Sequence, residues 1–314
     1  MRDTIRDIID LPIDLKLENV NKRIDDELSI LLGKKMAKKK KHILVMSGGG
    51  IKGIAHIGAL KALDDLNMLN DITILTGVSA GGIICTLYNI GYTPDELLAF
   101  VSLFDINKLD SMELMNIAST FGLNDGKNVS IVLEKLFDEK GIDHNITFLE
   151  LFKKTKKKLI LGTSCINDKK SYYFSYETYP NMSVITAVKM SMAIPIYFHP
   201  IRFENKLFVD GGCRDNYPIQ LFKDELDSVI GVYLAANQSC VTDIDNIEDF
   251  LMNTIQCLFE GVTHNSTKGF EKQTIKLTLN QDSHNPLGSK LSEDKIKELF
   301  LTGYNAVIEK FNHS

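Results

Sequence analysis

Three short stretches hold residue types that could do nucleophilic chemistry. "GVSAG" at 77–81 sets Ser79 between glycines, "GGGIKG" at 48–53 is a glycine run carrying one lysine, and "DGG" at 210–212 puts Asp210 ahead of two glycines. A serine hydroxyl attacks well when a base takes its proton and backbone amides hold the negative oxygen that the attack creates. A glycine turn can present such amides, because its backbone approaches closely and the helix after it offers a positive end. Each stretch also has a plain reading. G-x-S-x-G arises readily by chance in a chain with 21 glycines, and Asp-Gly is a common turn.

The flanking residues decide between these readings. "HILVM" is a short apolar run rich in β-formers ahead of the glycine run, and Ile54, Ile57, Leu60, Leu63 and Leu66 then recur at helical spacing. "DITILTG" and "SAGGIICTLYNIG" repeat the pattern, so Ser79 falls on a strand-to-helix bend. There a strained serine needs small neighbours, which Gly77, Ala80, Gly81 and Gly82 supply. The uncharged run from Ile72 to Pro94 is also long enough for a membrane span, and Gly77 and Gly81 fit the packing pattern of such helices. A span would have to carry Thr73, Thr76, Ser79, Thr86 and Asn89 and would dismantle a βα unit, so the bend is the better reading.

"GGGIKG" also spells the dinucleotide fingerprint G-x-G-x-x-G, which makes a Rossmann-type nucleotide-binding protein a competing reading. That fingerprint needs an acid at the end of the second strand. Here Asp71 stands at the start of that strand, whose end runs into Thr76 and Gly77.

The β and α signals alternate, which predicts an α/β fold with a mainly parallel sheet. From Thr93 to Lys158 the signals are helical, with capping boxes at Thr93–Glu96 and Thr147–Glu150. "LILGTSC", "SYYFSY" and "SVIGVYLA" read as strands, and "IRFENKLFVDGG" as a hairpin turning at Glu204, Asn205 and Lys206. Residues 1–41 read as a helical appendage and lysine-rich linker, 42–235 as the core, and 236–314 as helices and a strand packing on the same domain. The runs "KKMAKKKK" at 34–41 and "KKTKKK" at 153–158 each precede a strand. In a parallel sheet that puts them at the edge away from Ser79.

With 314 residues, 44% hydrophobic and 25% charged, the chain has a globular balance. Its formal charge of -5 argues against a nucleic-acid surface covering the protein. Cys85, Cys165, Cys213, Cys240 and Cys257 are odd in number and scattered, as reduced thiols of a cytosolic protein are. The first twenty residues lack the apolar core of a signal peptide. No metal-ligand spacing appears, so no metal or cofactor is implied. His264 and His284 follow Asp210 and formally allow a Ser, Asp, His order. Both sit among polar residues and read as surface groups, while Cys213 reads as a small buried residue near Asp210.

Taken together, the three motifs resemble those of the patatin-like phospholipase family: a glycine-rich oxyanion motif, a nucleophile motif and a catalytic-aspartate motif, in this order. The similarity includes "SMAIPIYFHPI" and "DNYPI" and covers about His42 to Ala235. It implies a three-layer α/β/α fold and a lipid acyl hydrolase of the phospholipase A or lysophospholipase type, acting without a metal at a membrane or micelle surface. It implies Ser79 as nucleophile and Asp210 as the base of a dyad. The oxyanion hole would lie at Gly48, Gly49, Gly50 and Ile51, with Lys52, Gly53, Gly77, Gly81, Gly211 and Gly212 supporting the motifs. Ser47 departs from the family pattern, which often has aspartate there. An acyl transferase of a related fold is the nearer rival, but such enzymes usually rely on a histidine motif, and none is evident.

Overall fold

The run Ile43–Met46 forms β1, buried on both faces as a central strand of a parallel sheet must be. It pairs in parallel with β2 (Ile74–Val78) and, on its other side, with a late strand at Val229–Ala236. The computed structural model describes residues 41–103, 117–236, 244–245, 247–263, 266–279 and 291–312. The N-terminal appendage, Lys34 to Lys40, Cys240, His264 and His284 lie outside these residues.

In chain order, α1 (Ile54–Asp65) follows β1 through the turn Gly50–Gly53, and α2 (Ser79–Asn89) leaves β2 with no residue between. The uncharged run from Ile72 is thus divided between a strand and a short helix, and no helix among the described residues is long and apolar enough to cross a membrane. Then come α3 (Pro94–Leu103), α4 (Ile117–Thr120), β3 (Gly122–Asn124), α5 (Lys127–Glu139) and α6 (Phe148–Thr155). Both expected capping boxes form, Thr93 with Glu96 and Thr147 with Glu150. β3 is a correction to the helical reading of Thr93–Lys158: it pairs in parallel with β6 (Ile196–Phe198), a partner too distant in sequence for local periodicity to reveal.

β4 (Lys158–Cys165) and β5 (Lys170–Phe174) form an antiparallel pair, and α7 (Val184–Met192) precedes β6. β7 (Ile201–Phe203) and β8 (Lys206–Asp210) make the predicted hairpin. Glu204 and Asn205 both take left-handed backbone angles at its turn, as a tight two-residue hairpin requires. β9 (Val229–Ala236), α8 (Ile247–Thr263), β10 (Thr274–Leu279) and α9 (Glu293–Asn312) complete the described chain.

The sheet is therefore parallel through β10, β9, β1, β2 and β4 and flanked by helices. Alternate residues of β1 serve its two faces. Leu44 and Met46 enter the large core shared with α1, α2, α7 and α9, while Ile43 and Val45 enter a smaller one with Tyr217, Ile219 and Phe222. α9 docks on α1 through paired glycines. A Cβ on Gly303 would come within 1.8 Å of the Ala55 carbonyl oxygen, and one on Gly58 within 1.9 Å of that of Phe300. Gly303→Ala should lower the unfolding free energy by about 1–3 kcal/mol. An unchanged urea midpoint would refute this contact.

Register fixes the direction of the site. Ile74 pairs with Lys158, so the 153–158 lysines stand at the amino edge of the sheet, whereas Ser79 follows the carboxyl end of β2. Replacing these lysines with glutamine should leave turnover of a soluble short-chain ester within about twofold and weaken only such binding to anionic vesicles as is driven by charge, each lysine contributing at most about 1 kcal/mol there. A large drop in soluble-ester turnover would contradict the placement.

Candidate active site

β4 is longer than β2, and this difference builds the site. Residues Lys158 to Gly162 pair with β2, and Thr163 to Cys165 pair with β8 in the opposite direction. β5 occupies Leu161 to Cys165 along the other edge, so β2 and β8 must share one edge of β4. They meet there carboxyl end to carboxyl end, Val78 opposite Gly162 and Asp210 opposite Thr163. Ser79 and Asp210 are brought together by this head-on meeting. Asp210 stands at a carboxyl strand end, as its Asp-Gly-Gly context predicts, but on a strand that runs antiparallel to its neighbour, contrary to the mainly parallel pattern expected of the sheet.

Ser79 has φ of 50° and is buried. A side chain in this left-handed region is strained by about 1–3 kcal/mol and persists only where the surroundings impose it. The imposing groups can be named. β2 and α2 cross so closely that a Cβ on Gly77 would lie 2.5 Å from Gly81 backbone atoms, and one on Gly81 would lie 2.5 Å from the Ser47 carbonyl oxygen. The Ser79 amide donates to Ser191 Oγ at 2.9 Å, and the Ser191 hydroxyl donates to the Gly162 carbonyl at 2.7 Å. Ser191, on α7, thus ties the bend to β4.

Asp210 is 1% exposed. Its Oδ1 accepts the Gly212 amide at 2.7 Å, while Oδ2 is sealed from solvent without a fully formed hydrogen bond. Burial pushes the carboxyl pKa up to about 6, opposed by the Ser79 hydroxyl and the Gly212 amide, which favour the charged form. A carboxylate so tuned is basic enough to take a proton near neutral pH.

The glycine turn abuts the serine. A Cβ on Gly48 would lie 3.2 Å from Ser79 Cβ. The Gly48 amide, however, already donates to the Asn216 carbonyl at 3.0 Å, so it is not free to bind an oxyanion, and Gly48 serves the site through its lack of a side chain. Gly49, Gly50 and Ile51 follow, Gly50 with φ of 54°. Ser47, where the aspartate was expected, accepts the Leu234 amide on its Oγ at 2.9 Å and so binds the turn to β9. The Ser47 carbonyl accepts from His56 Nε2 at 2.8 Å, and burial lowers the His56 pKa to about 4, keeping the ring neutral. Lys52 is half-buried beside the turn, and desolvation lowers its pKa against the pull of Glu260. Cys213 is partly buried beside Asp210, and burial raises its thiol pKa to about 12, which leaves it protonated.

Next to Ser79 opens a cavity of about 240 Å³. Gly50 and Ile51 border it, and Ile83, Leu87, Leu97, Val132, Leu136 and Met192 give it an apolar wall. No group of His, Cys, Asp and Glu among the described residues could hold a metal ion.

The sequence profile of the patatin-like phospholipase family matches residues 44–223, more than half of the chain. The chain belongs to that family. Among its relatives, the "probable lipid hydrolase 463L" of Invertebrate iridescent virus 6 is 40% identical over 182 residues, covering 57% of this chain and 62% of that protein. The chain thus spans about three fifths of that relative's length. The uncharacterized protein R571 of Acanthamoeba polyphaga mimivirus is 35% identical over 207 residues, covering 64% of this chain and 68% of its own. VipD from Legionella pneumophila has a similar fold, with a TM-score of 0.57 at 16% identity over 88% of this chain and 68% of that one. The type III effector protein ExoU gives 0.50 at 17% identity over 88% and 54%.

In this patatin-like chain Ser191 is the residue that spacing could not mark, since it lies 112 positions from the amide it holds. Its only signal was membership of the "SMAIPIYFHPI" stretch. Ser191→Ala deprives the buried Ser79 amide of its acceptor, at about 1–3 kcal/mol. With about 1.4 kcal/mol per factor of ten, kcat on a soluble ester should fall roughly 10- to 100-fold while KM changes little. An unchanged kcat, or a change confined to KM, would remove Ser191 from the positioning of Ser79.

Proposed function

We propose that this protein hydrolyses carboxylic esters of phospholipids or related lipids, with Ser79 as nucleophile and Asp210 as its base. The observation that carries the reading is the head-on meeting of β2 and β8. It sets a strained, buried serine against a buried carboxylate beside an apolar cavity.

In the first half-reaction Ser79 Oγ bonds to the acyl carbon as its proton passes to Asp210, and the carbonyl oxygen becomes negative facing the amides around Gly49 and Gly50. The ester C–O bond then breaks, and the leaving alcohol takes the proton from Asp210. In the second half-reaction water gives a proton to Asp210 and its oxygen to the acyl carbon. The Ser79–acyl bond breaks, the proton returns to Ser79, and a free acid departs. The apolar wall suits the acyl chain, since burying each CH₂ contributes about 0.8 kcal/mol.

The glycine run opens onto this apolar wall, which supports the acyl reading over the nucleotide one. Family membership points the same way. Product analysis by mass spectrometry on a mixed phospholipid panel tests the function. Fatty acid release by the wild type and its absence in Ser79→Ala are expected, and equal release by both proteins would end the proposal.

A further inference from the structure

The helix α8 presents two faces with different tasks. On one, Ile255 is buried and Phe259 packs on the turn after Asp210, where a Cβ on Gly212 would lie 3.1 Å from the Phe259 ring. On the other, Ile247, Phe250, Leu258 and Val262 are 63%, 54%, 64% and 40% exposed. Ile247 and Phe250 are neighbours three apart and Leu258 and Val262 four apart, with the exposed Thr254 between the two pairs, so the four lie along one side of the helix, where Val262 borders the buried Ile255. Exposed apolar side chains gathered along one side of a helix mark a surface that meets a partner or a membrane.

We propose that this stripe seats the protein on the lipid–water interface from which Ser79 draws its substrate. The inference rests on the lipid-ester reading and adds the surface through which the protein reaches its lipid.

Two observations choose the lipid surface as occupant. First, the stripe is the outer side of the helix that touches the Asp210 turn, so seating it holds the catalytic end of the sheet close to the membrane. The lysines at 153–158 lie at the opposite edge and would hold Ser79 away from it. Second, α8 carries Glu248, Asp249 and Glu260 and no lysine or arginine. Interfacial helices that bind by charge are rich in basic residues. Attraction here must come from the apolar side chains, so docking needs no anionic lipid and resists salt.

The test separates docking from catalysis. Ser79→Ala protein spanning all 314 residues is co-sedimented with phosphatidylcholine vesicles, with and without Phe250→Ser and Leu258→Ser. The parent should bind, and its binding should persist at about 1 M salt, where surface charges are screened within about 3 Å. The paired substitution should reduce partitioning roughly tenfold or more, since burial of each side chain contributes a large share of binding. In the Ser79 background the paired variant should keep soluble short-chain ester turnover and lose vesicle-lipid hydrolysis by a similar factor.

Unchanged vesicle binding in the paired variant overturns the docking proposal, whatever the activity data say about Ser79. A concentration-dependent dimer in light scattering that the same substitutions abolish overturns it too, and would reassign the stripe to a second copy of the chain. Should the paired variant fail to turn over the soluble ester, Leu258→Gln alone, at the most exposed position, carries the same binding comparison. Retained vesicle binding with no ester hydrolysis in any form would sink the lipid-ester reading and leave the docking surface standing.

Discussion

Ser79→Ala is expected to lower ester turnover by roughly 10⁴-fold or more, as loss of the attacking group does in serine hydrolases. The unfolding free energy should stay within about 1 kcal/mol of the parent. Both expectations come from the same geometry. Alanine keeps the Cβ that the crowded bend already accommodates, and it keeps the amide that donates to Ser191 Oγ. Only the hydroxyl facing Asp210 is lost. A fluorophosphonate probe, which reacts with activated serines, should label the parent at Ser79 and leave the variant unlabelled. Equal labelling of both proteins would sink the assignment.

The features that were legible in the sequence are local ones. The bend at Ser79 could be read because strand, glycines and helix are contiguous, and the Glu204–Asn205 turn because a tight hairpin has its own chemistry. The amino-edge placement of the 153–158 lysines could be read because a parallel strand begins where its preceding helix ends. What stayed hidden depends on partners distant in sequence. The antiparallel entry of β8 along β4 follows from β4 outrunning β2 by three residues, and no periodicity in either strand records that. The commitment of the Gly48 amide to Asn216 and of the Ser79 amide to Ser191 are long-range hydrogen bonds of the same kind. The inward side of α8 is set in the same way, by Phe259 meeting the Asp210 turn.

Asp210→Asn should separate catalysis from stability. If Asp210 takes the Ser79 proton directly, the amide replacement keeps the shape, can still accept the Gly212 amide, and cannot act as a base. Then kcat should fall by several orders of magnitude, roughly 10³-fold or more. The parent's kcat/KM should climb as pH rises through about 6 and level off above it, because only the ionised carboxylate accepts the proton. Stability runs the other way. The folded-state pKa of Asp210 is raised, so the folded protein holds this proton more tightly than the unfolded chain does. The associated stability is fully present below about 4, is lost as pH climbs through about 6, and stays lost above that. A gap of about two units corresponds to about 3 kcal/mol. Since asparagine carries no charge, the variant should be more stable than the parent at pH 8 by up to about that amount, and equal to it near pH 4, as measured by urea unfolding. His264→Ala and His284→Ala should leave turnover near the parent's. If either histidine variant falls as far as Ser79→Ala, that histidine is the base and Asp210 only orients it. If Asp210→Asn keeps full activity, Asp210 has no part in the mechanism.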